Sequence, residues 1–298
     1  MDLNSDAMLA SLHIAAWSGR LYDRDASTHV AVHHDASVSA GRYNKRLLPK
    51  AAFAALNAAL NKARATHYEQ TMPWDDKGAR LLTVANYERY TGLMDGLREK
   101  MVRERARFIE DYQDNIDRAR LELGRLFRIQ DYPSSAALRT KFSIRYRIAP
   151  VPDADHFIAQ LASDDTERVK RDIERQVGER LNGAVGDLYR RLGEAVERVS
   201  DRLREDGDGK PLVFRDSMIG NLRDLVDIVP RLNIFGDDEL ARLCERVKDR
   251  IASVEPDALR PSRTFDPAAR NRVKRDADAL MERFAGYFAA PDEAREAA

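Results

Sequence analysis

The chain has 298 residues, and its 50 Lys and Arg are matched by 50 Asp and Glu, so the formal net charge is zero although 34% of residues are charged. That balance excludes a histone-like binder resting on a net positive field and leaves only local basic patches as candidates for anion recognition. At 43% hydrophobic, with 15 Gly and 11 Pro, the chain can bury a core and has too few turn residues for an all-β fold, which excludes disordered and collagen-like classes and points to a largely helical protein.

In chain order, the first pattern is Leu9 to Trp17, where Leu12, Ile14 and Ala16 alternate with Ser11, His13, Ala15 and Trp17, as in a strand. Helices are expected over Asp25 to Asp35 and over Pro49 to Tyr68, the latter with an Ala-rich face beside Phe53, Leu56 and Leu60. Arg80 to Val84 reads as a short strand. From Val84 to Phe127 apolar positions recur mostly three and four apart (Tyr87, Tyr90, Met94, Leu97, Met101, Phe108, Tyr112, Ile116, Ala119, Leu123, Leu126), which predicts one long helix of roughly 65 Å.

The segment 128–162 reads as non-helical, with the clearest strand in the chain at Lys141 to Ile148: Phe142, Ile144, Tyr146 and Ile148 alternate with Lys141, Ser143, Arg145 and Arg147. A second long helix follows from Ser163 to Asp206. Ser163 is its expected N-cap, Gly207 and Gly209 its end, and its apolar positions average about 3.8 residues apart, closer to a straight pairing than to a heptad supercoil. Gly178, Gly183, Gly186 and Gly193 in this helix mark either close helix approach or a bend. Shorter helices are expected over Asp216 to Val229, Asp237 to Val254 and Pro267 to Phe288, the last started by Asp266 as N-cap and Pro267 at the first turn.

The fold class is therefore mainly α with a small antiparallel β-sheet: a long antiparallel α-helical hairpin of the two long helices plus shorter helices. The expected domains are 1–206, the long-helix pair with the sheet and amino-terminal helices, and 207–298, a carboxy-terminal helical subdomain. No apolar run reaches the roughly 20 residues of a membrane span, and the amino terminus lacks the pattern of a signal peptide, so a cytoplasmic protein with no membrane partner is expected.

Chemistry is thinly represented. Cys244 is the only cysteine and falls at the buried phase of Leu240, Leu243 and Val247, as an inert core thiol. His29 and His33 stand four apart with Asp25 four earlier, but lack the Glu of a zinc helix, and read as a solvated polar face. Asp75 with Asp76, and Asp153 with Asp155 and His156, are acidic clusters at element ends that read better as turns than as a magnesium site. Phosphate-loop, dinucleotide and nucleophile-elbow motifs are missing, so catalytic, cofactor and metal residues are none.

Two acid-free basic patches stand out: Arg42, Lys45, Arg46 and Lys50, interleaved with Tyr43 and Asn44, and Arg139, Lys141, Arg145 and Arg147. Arginine and lysine on phosphates with a tyrosine to stack on a base would make a nucleic-acid contact; pairing with carboxylates elsewhere is the plainer alternative.

Several segments together resemble an uncharacterised family of bacterial and bacteriophage proteins, a domain of unknown function. They are Leu12-His-Ile-Ala-Ala-Trp-Ser-Gly-Arg20, Gly41-Arg-Tyr-Asn-Lys-Arg-Leu-Leu-Pro49, Gly78-Ala-Arg-Leu-Leu82, Tyr132-Pro133, Pro150-Val-Pro152, Phe214-Arg-Asp-Ser and Val229-Pro-Arg-Leu-Asn-Ile234. Members are often encoded close to AAA+ ATPases of the MoxR or cobaltochelatase-like type, in phages or mobile elements. The resemblance implies an adaptor or client of such an ATPase; the two long helices, the balanced charge and the lack of a convergent catalytic set point to a non-enzymatic helical interaction or assembly protein, and the alternative function is a phosphate-backbone or single-stranded nucleic-acid binder. A homo-oligomer is expected because the long helices carry apolar residues on more than one face.

Overall fold

The computed structural model describes residues 6–75, 78–151, 163–260 and 264–289. The elements are β1 (Ala7–Ala15), β2 (Arg20–Tyr22), α1 (Arg24–His33), β3 (Asn44–Arg46), α2 (Ala54–Glu69), β4 (Met72–Pro73), β5 (Ala79–Thr83), α3 (Tyr87–Glu110), α4 (Tyr112–Leu123), α5 (Ser135–Lys141), β6 (Ser143–Pro150), α6 (Ser163–Arg202), α7 (Asp216–Leu232), α8 (Asp238–Val247), α9 (Pro256–Leu259) and α10 (Pro267–Ala289). The fold is mainly α with a small antiparallel sheet of four strands in the order β4-β5-β1-β6, and a separate antiparallel two-stranded ribbon pairs β2 with β3.

The chain divides into two compact units. One comprises Met1–Ala10, Gln70–Tyr87 and Ile148–Ala298, the other Ser11–Glu69 and Glu88–Arg147. The division is interleaved rather than sequential, and the expected boundary between 206 and 207 falls inside the first unit. There the buried face of α6 (Leu188, Leu192, Val196, Val199) belongs to the same core as Leu222 and Val226 of α7 and Val273, Ala277 and Phe284 of α10, so the carboxy-terminal helices cover the second long helix directly.

The two long helices of the expected hairpin lie in different units, and within its own unit α6 packs on α7, α10 and β4. Helix pairing follows whichever apolar faces fit, and the stripe spacing that identifies a buried face does not name its partner. The expected N-cap Ser163 is itself the first residue of α6, which ends at Arg202.

The first long helix is interrupted. α3 and α4 meet at Asp111 (ψ 1°), although the ladder bonds Asp111 N to Arg107 O (3.0 Å) and Asn115 N to Asp111 O (3.0 Å) run across it. The Asn115 amide also donates to the Asp111 carbonyl at 2.9 Å, and a side chain competing for a ladder acceptor is a recognised cause of such a break. The expected stripe still points inward: Tyr90, Met94, Met101, Phe108, Tyr112, Ile116 and Ala119 are buried. Around Phe108 an aromatic core forms, with ring centroids 5.3 Å from Phe53 and 5.5 Å from Phe142, while Trp17 stands edge-on to Phe53 at 5.7 Å.

Phe142, just before β6, and Ile144 within it are buried beside exposed Arg145 and Arg147, as the alternation predicts, and Tyr146 is half-buried with its hydroxyl donating to Asp95 at 2.9 Å. The segment expected to be non-helical contains α5, capped by Ser134, whose hydroxyl accepts from Ala137 N at 3.2 Å. Asp266 caps α10 as expected, accepting from Ala268 N (2.9 Å) and Ala269 N (3.1 Å).

Candidate functional site

The β2–β3 ribbon carries the first basic patch, and its register decides which cations are available. Arg20 pairs with Arg46, Leu21 with Lys45 and Tyr22 with Asn44. Because side chains alternate across a strand, Arg20, Tyr22, Asn44 and Arg46 share one face while Leu21 and Lys45 point to the other. The flanking bonds Leu47 N to Gly19 O (2.7 Å) and Asp23 N to Tyr43 O (3.0 Å) set the phase of the ladder. Gly19–Leu47 and Asp23–Tyr43 are hydrogen-bonded positions, so Arg20 and Arg46 form a non-hydrogen-bonded pair, the kind whose side chains lie closest, with Cα atoms about 4.5 Å apart.

Lys45, expected to face a phosphate, is instead buried, its side chain 2% exposed. Its ammonium lies 2.7 Å from a carboxylate oxygen of Asp23 and 2.7 Å from one of Asp131, and it donates to the Leu126 carbonyl at 3.0 Å. Burial pushes against its charge, but the hydrogen bonds to Asp131 and Asp23 outweigh this and hold its pKa above that of an ordinary lysine. Asp23 is held below the usual carboxylate value, first by the Ala26 N–H that it accepts as N-cap of α1 and then by Lys45. The expected contact with nucleic acid is therefore corrected at this position: Lys45 is a structural ion pair that ties β3 to the start of α1 and to the turn before Tyr132.

The other cations of the patch remain accessible. Arg42, Arg46 and Lys50 are exposed, and Arg42 places its guanidinium 5.8 Å from the centroid of the Tyr22 ring. Arg20, which belongs to no acid-free run because Asp23 and Asp25 follow it, is exposed on the same face as Arg46. Among the described residues, the side chains of Arg20, Arg42 and Arg46 have no carboxylate partner. Asp25 is taken by Arg128 at 2.5 Å.

In the second patch Arg145 and Arg147 stand two residues apart on the exposed side of β6, the last strand of the sheet order, also without a carboxylate partner among the described residues. Arg139 and Lys141 occupy the last turn of α5, where a cation complements the helix dipole. The structure thus joins Arg42 and Arg46 to Arg20, removes Lys45, and keeps Arg145 with Arg147 on a different element.

Groups capable of chemistry elsewhere are engaged. The Cys244 thiol donates to the Val226 carbonyl at 3.3 Å, and burial pushes its pKa up to about 12. Buried His67 places Nδ1 2.9 Å from the Tyr90 hydroxyl. Ser200 donates to Asp278 at 2.5 Å, and Lys274 neutralises the same carboxylate. Asp75 accepts from Ala79 N at 3.0 Å as a turn residue. His29 and His33 are exposed, and no group of metal-ligating side chains converges among the described residues. Asp76, Asp153, Asp155 and His156 lie outside the described residues.

A groove of about 480 Å³ between the start of α2 and the α3–α4 junction is floored by Ala52, Ala55, Leu56 and Phe108 and rimmed by charges of both signs, including Arg107, Asp111 and Arg118. No helix among the described residues is long and apolar enough to cross a membrane. Comparison of the chain with family models, with curated proteins and with solved structures returns no match.

Proposed function

We propose that this chain works by binding rather than by chemistry of its own, as a helical interaction protein with an AAA+ ATPase as its partner. The observation that carries the binding half of this reading is the engagement of the side chains best suited to catalysis. Cys244 donates to a carbonyl, His67 meets a tyrosine, Ser200 meets an already neutralised carboxylate and Lys45 sits between two aspartates. A thiol held as a donor to a carbonyl has no adjacent base to activate it, and the Asp278 carboxylate that accepts from Ser200 is made a poorer base by its ion pair with Lys274. The ATPase half rests on the resemblance in the segments around Trp17, Tyr43 and Phe214.

Affinity capture of the full chain from its native cells should return an AAA+ ATPase, and adding purified chain should change the ATP hydrolysis rate of that partner severalfold. Capture without an ATPase, or an unchanged rate, would remove the ATPase reading. Self-association is part of the same proposal, and light scattering that reports a monomer mass over a wide concentration range would remove it.

A further inference from the structure

The geometry points to a single-stranded nucleic-acid site on the outer face of the β2–β3 ribbon, built from Arg20, Tyr22, Arg42, Asn44 and Arg46. The inference rests on the reading of the chain as a binding protein and names a second class of partner for it.

Its starting point is an arrangement that the free protein does not favour. Arg20 and Arg46 are directly opposite in the antiparallel ladder, at the closest kind of position, and like charges placed so are destabilising. Several exposed arginines elsewhere in this chain sit beside carboxylates: Arg175 with Glu179, Arg190 with Glu194, Arg128 with Asp25. Here neither guanidinium has such a partner among the described residues, and the nearest acid in sequence, Asp23, is buried with Lys45 on the opposite side of the ribbon. A phosphodiester between the two guanidinium forks would relieve the repulsion and supply the planar, bidentate hydrogen bonds that arginine makes best.

The neighbouring position on the same face selects among phosphate-bearing partners. Tyr22 is 43% exposed, with Arg42 over one face of its ring and Asn44 directly opposite. An accessible tyrosine face next to paired arginines is a platform for a nucleobase, with Asn44 able to donate to and accept from a base edge. Only an unpaired base can offer its face to that ring, which favours a single strand over a duplex. The amino terminus of α1, close by in sequence, takes no part, since Asp23 already accepts the Ala26 N–H.

The test is fluorescence anisotropy of the full chain with a labelled deoxythymidine oligomer, its duplex with deoxyadenosine, and vesicles of phosphatidylglycerol. The wild-type chain should bind the single strand at low salt and weaken linearly with log salt. Arg20→Ala with Arg46→Ala should reduce the magnitude of that slope by about 1.4, roughly 0.7 for each phosphate no longer neutralised. The single variant Arg46→Gln, which keeps the side-chain bulk and hydrogen-bonding capacity, should reduce it by about 0.7. Tyr22→Ala should weaken binding of the single strand about tenfold and leave the slope in place, because stacking carries no counterion release. Circular dichroism should be unchanged in all three variants. No binding by the wild-type chain at low salt, equal binding of the duplex, stronger binding to vesicles, or a slope unmoved in both arginine variants would each overturn the inference. An ATPase captured without oligomer binding would sink this site and leave the proposed interaction function standing, and oligomer binding without an ATPase would do the reverse.

Discussion

Lys45 shows how much a single residue's meaning depends on its surroundings. In the sequence it is one of four cations in a basic run; in the fold it is the counter-charge of Asp23 and Asp131. Lys45→Met leaves both carboxylates beside an apolar chain and should cost about 3 kcal/mol, read from denaturant unfolding. The difference between wild type and variant should also depend on pH. Asp23 has a lowered pKa, so its contribution is present above the ordinary value of 3.8 and is lost as pH falls through the lowered one. Lys45 has a raised pKa, so its contribution is present below the ordinary value of 10.5 and is lost as pH rises through the raised one. The gap between the two proteins should therefore be widest between these limits and shrink on either side. Arg46 makes the opposite case. Arg46→Glu turns a repulsive cross-strand pair into an attractive one and should stabilise the free protein by about 0.2–1 kcal/mol, measured by thermal unfolding. A destabilised Arg46→Glu variant would mean that the two guanidinium groups do not repel.

At the scale of elements, glycine and arginine positions that look alike in the sequence separate sharply. Gly183 in α6 has open space where a Cβ would stand, so Gly183→Ala should raise stability by about 0.5–1 kcal/mol through helix propensity alone. Gly193, ten residues on, faces Phe284 of α10 with 3.4 Å for a Cβ, and is the one of the four α6 glycines where the helix makes a close approach. Gly19, in the turn from β1 to β2, has φ +62°, and a Cβ there would stand 2.4 Å from the buried ring of Phe53. Gly19→Ala should therefore destabilise by at least about 2 kcal/mol in a thermal melt, from backbone strain added to displacement of the aromatic core. At the carboxy-terminal end of α6, buried Arg270 of α10 donates to the carbonyls of Arg202 (2.9 Å) and Arg204 (3.2 Å) and also bonds the Leu259 carbonyl. Replacement by Met would orphan these acceptors and should cost at least about 2 kcal/mol.

For the whole molecule, zero net charge limits what any basic face can do. With 50 positive and 50 negative side chains, no long-range field draws a polyanion to the surface at large. Binding to a single strand should accordingly involve only the two or three arginines of the ribbon, with a salt slope between roughly −1.4 and −2.1. A slope far steeper than this would show that Arg145 and Arg147 on β6, or other cations, also neutralise phosphates. The only cysteine offers a separate readout of the α6–α7–α8–α10 core. Cys244 should resist a thiol reagent in the native protein and react fully in denaturant, followed by absorbance.

Local patterning by itself determined most of the elements. Period-two alternation identified β6, its buried Ile144 and the buried Phe142 just before it, the three-and-four spacing identified the buried stripe through Met94, Phe108 and Ile116, and Asp266-Pro267 marked the start of α10. These features are legible because each depends on residues a few positions apart, which backbone geometry alone places on one face. Tertiary structure decided what each face meets. The cover of α6 comes from α7 and α10, and Lys45 finds its aspartates 22 and 86 positions away along the chain. Arg20 becomes the neighbour of Arg46 only when β2 and β3 pair. Each strand of that ribbon is three residues long, too short for alternation to show which side faces inward, so the chemistry of its outer face exists only once the register is set.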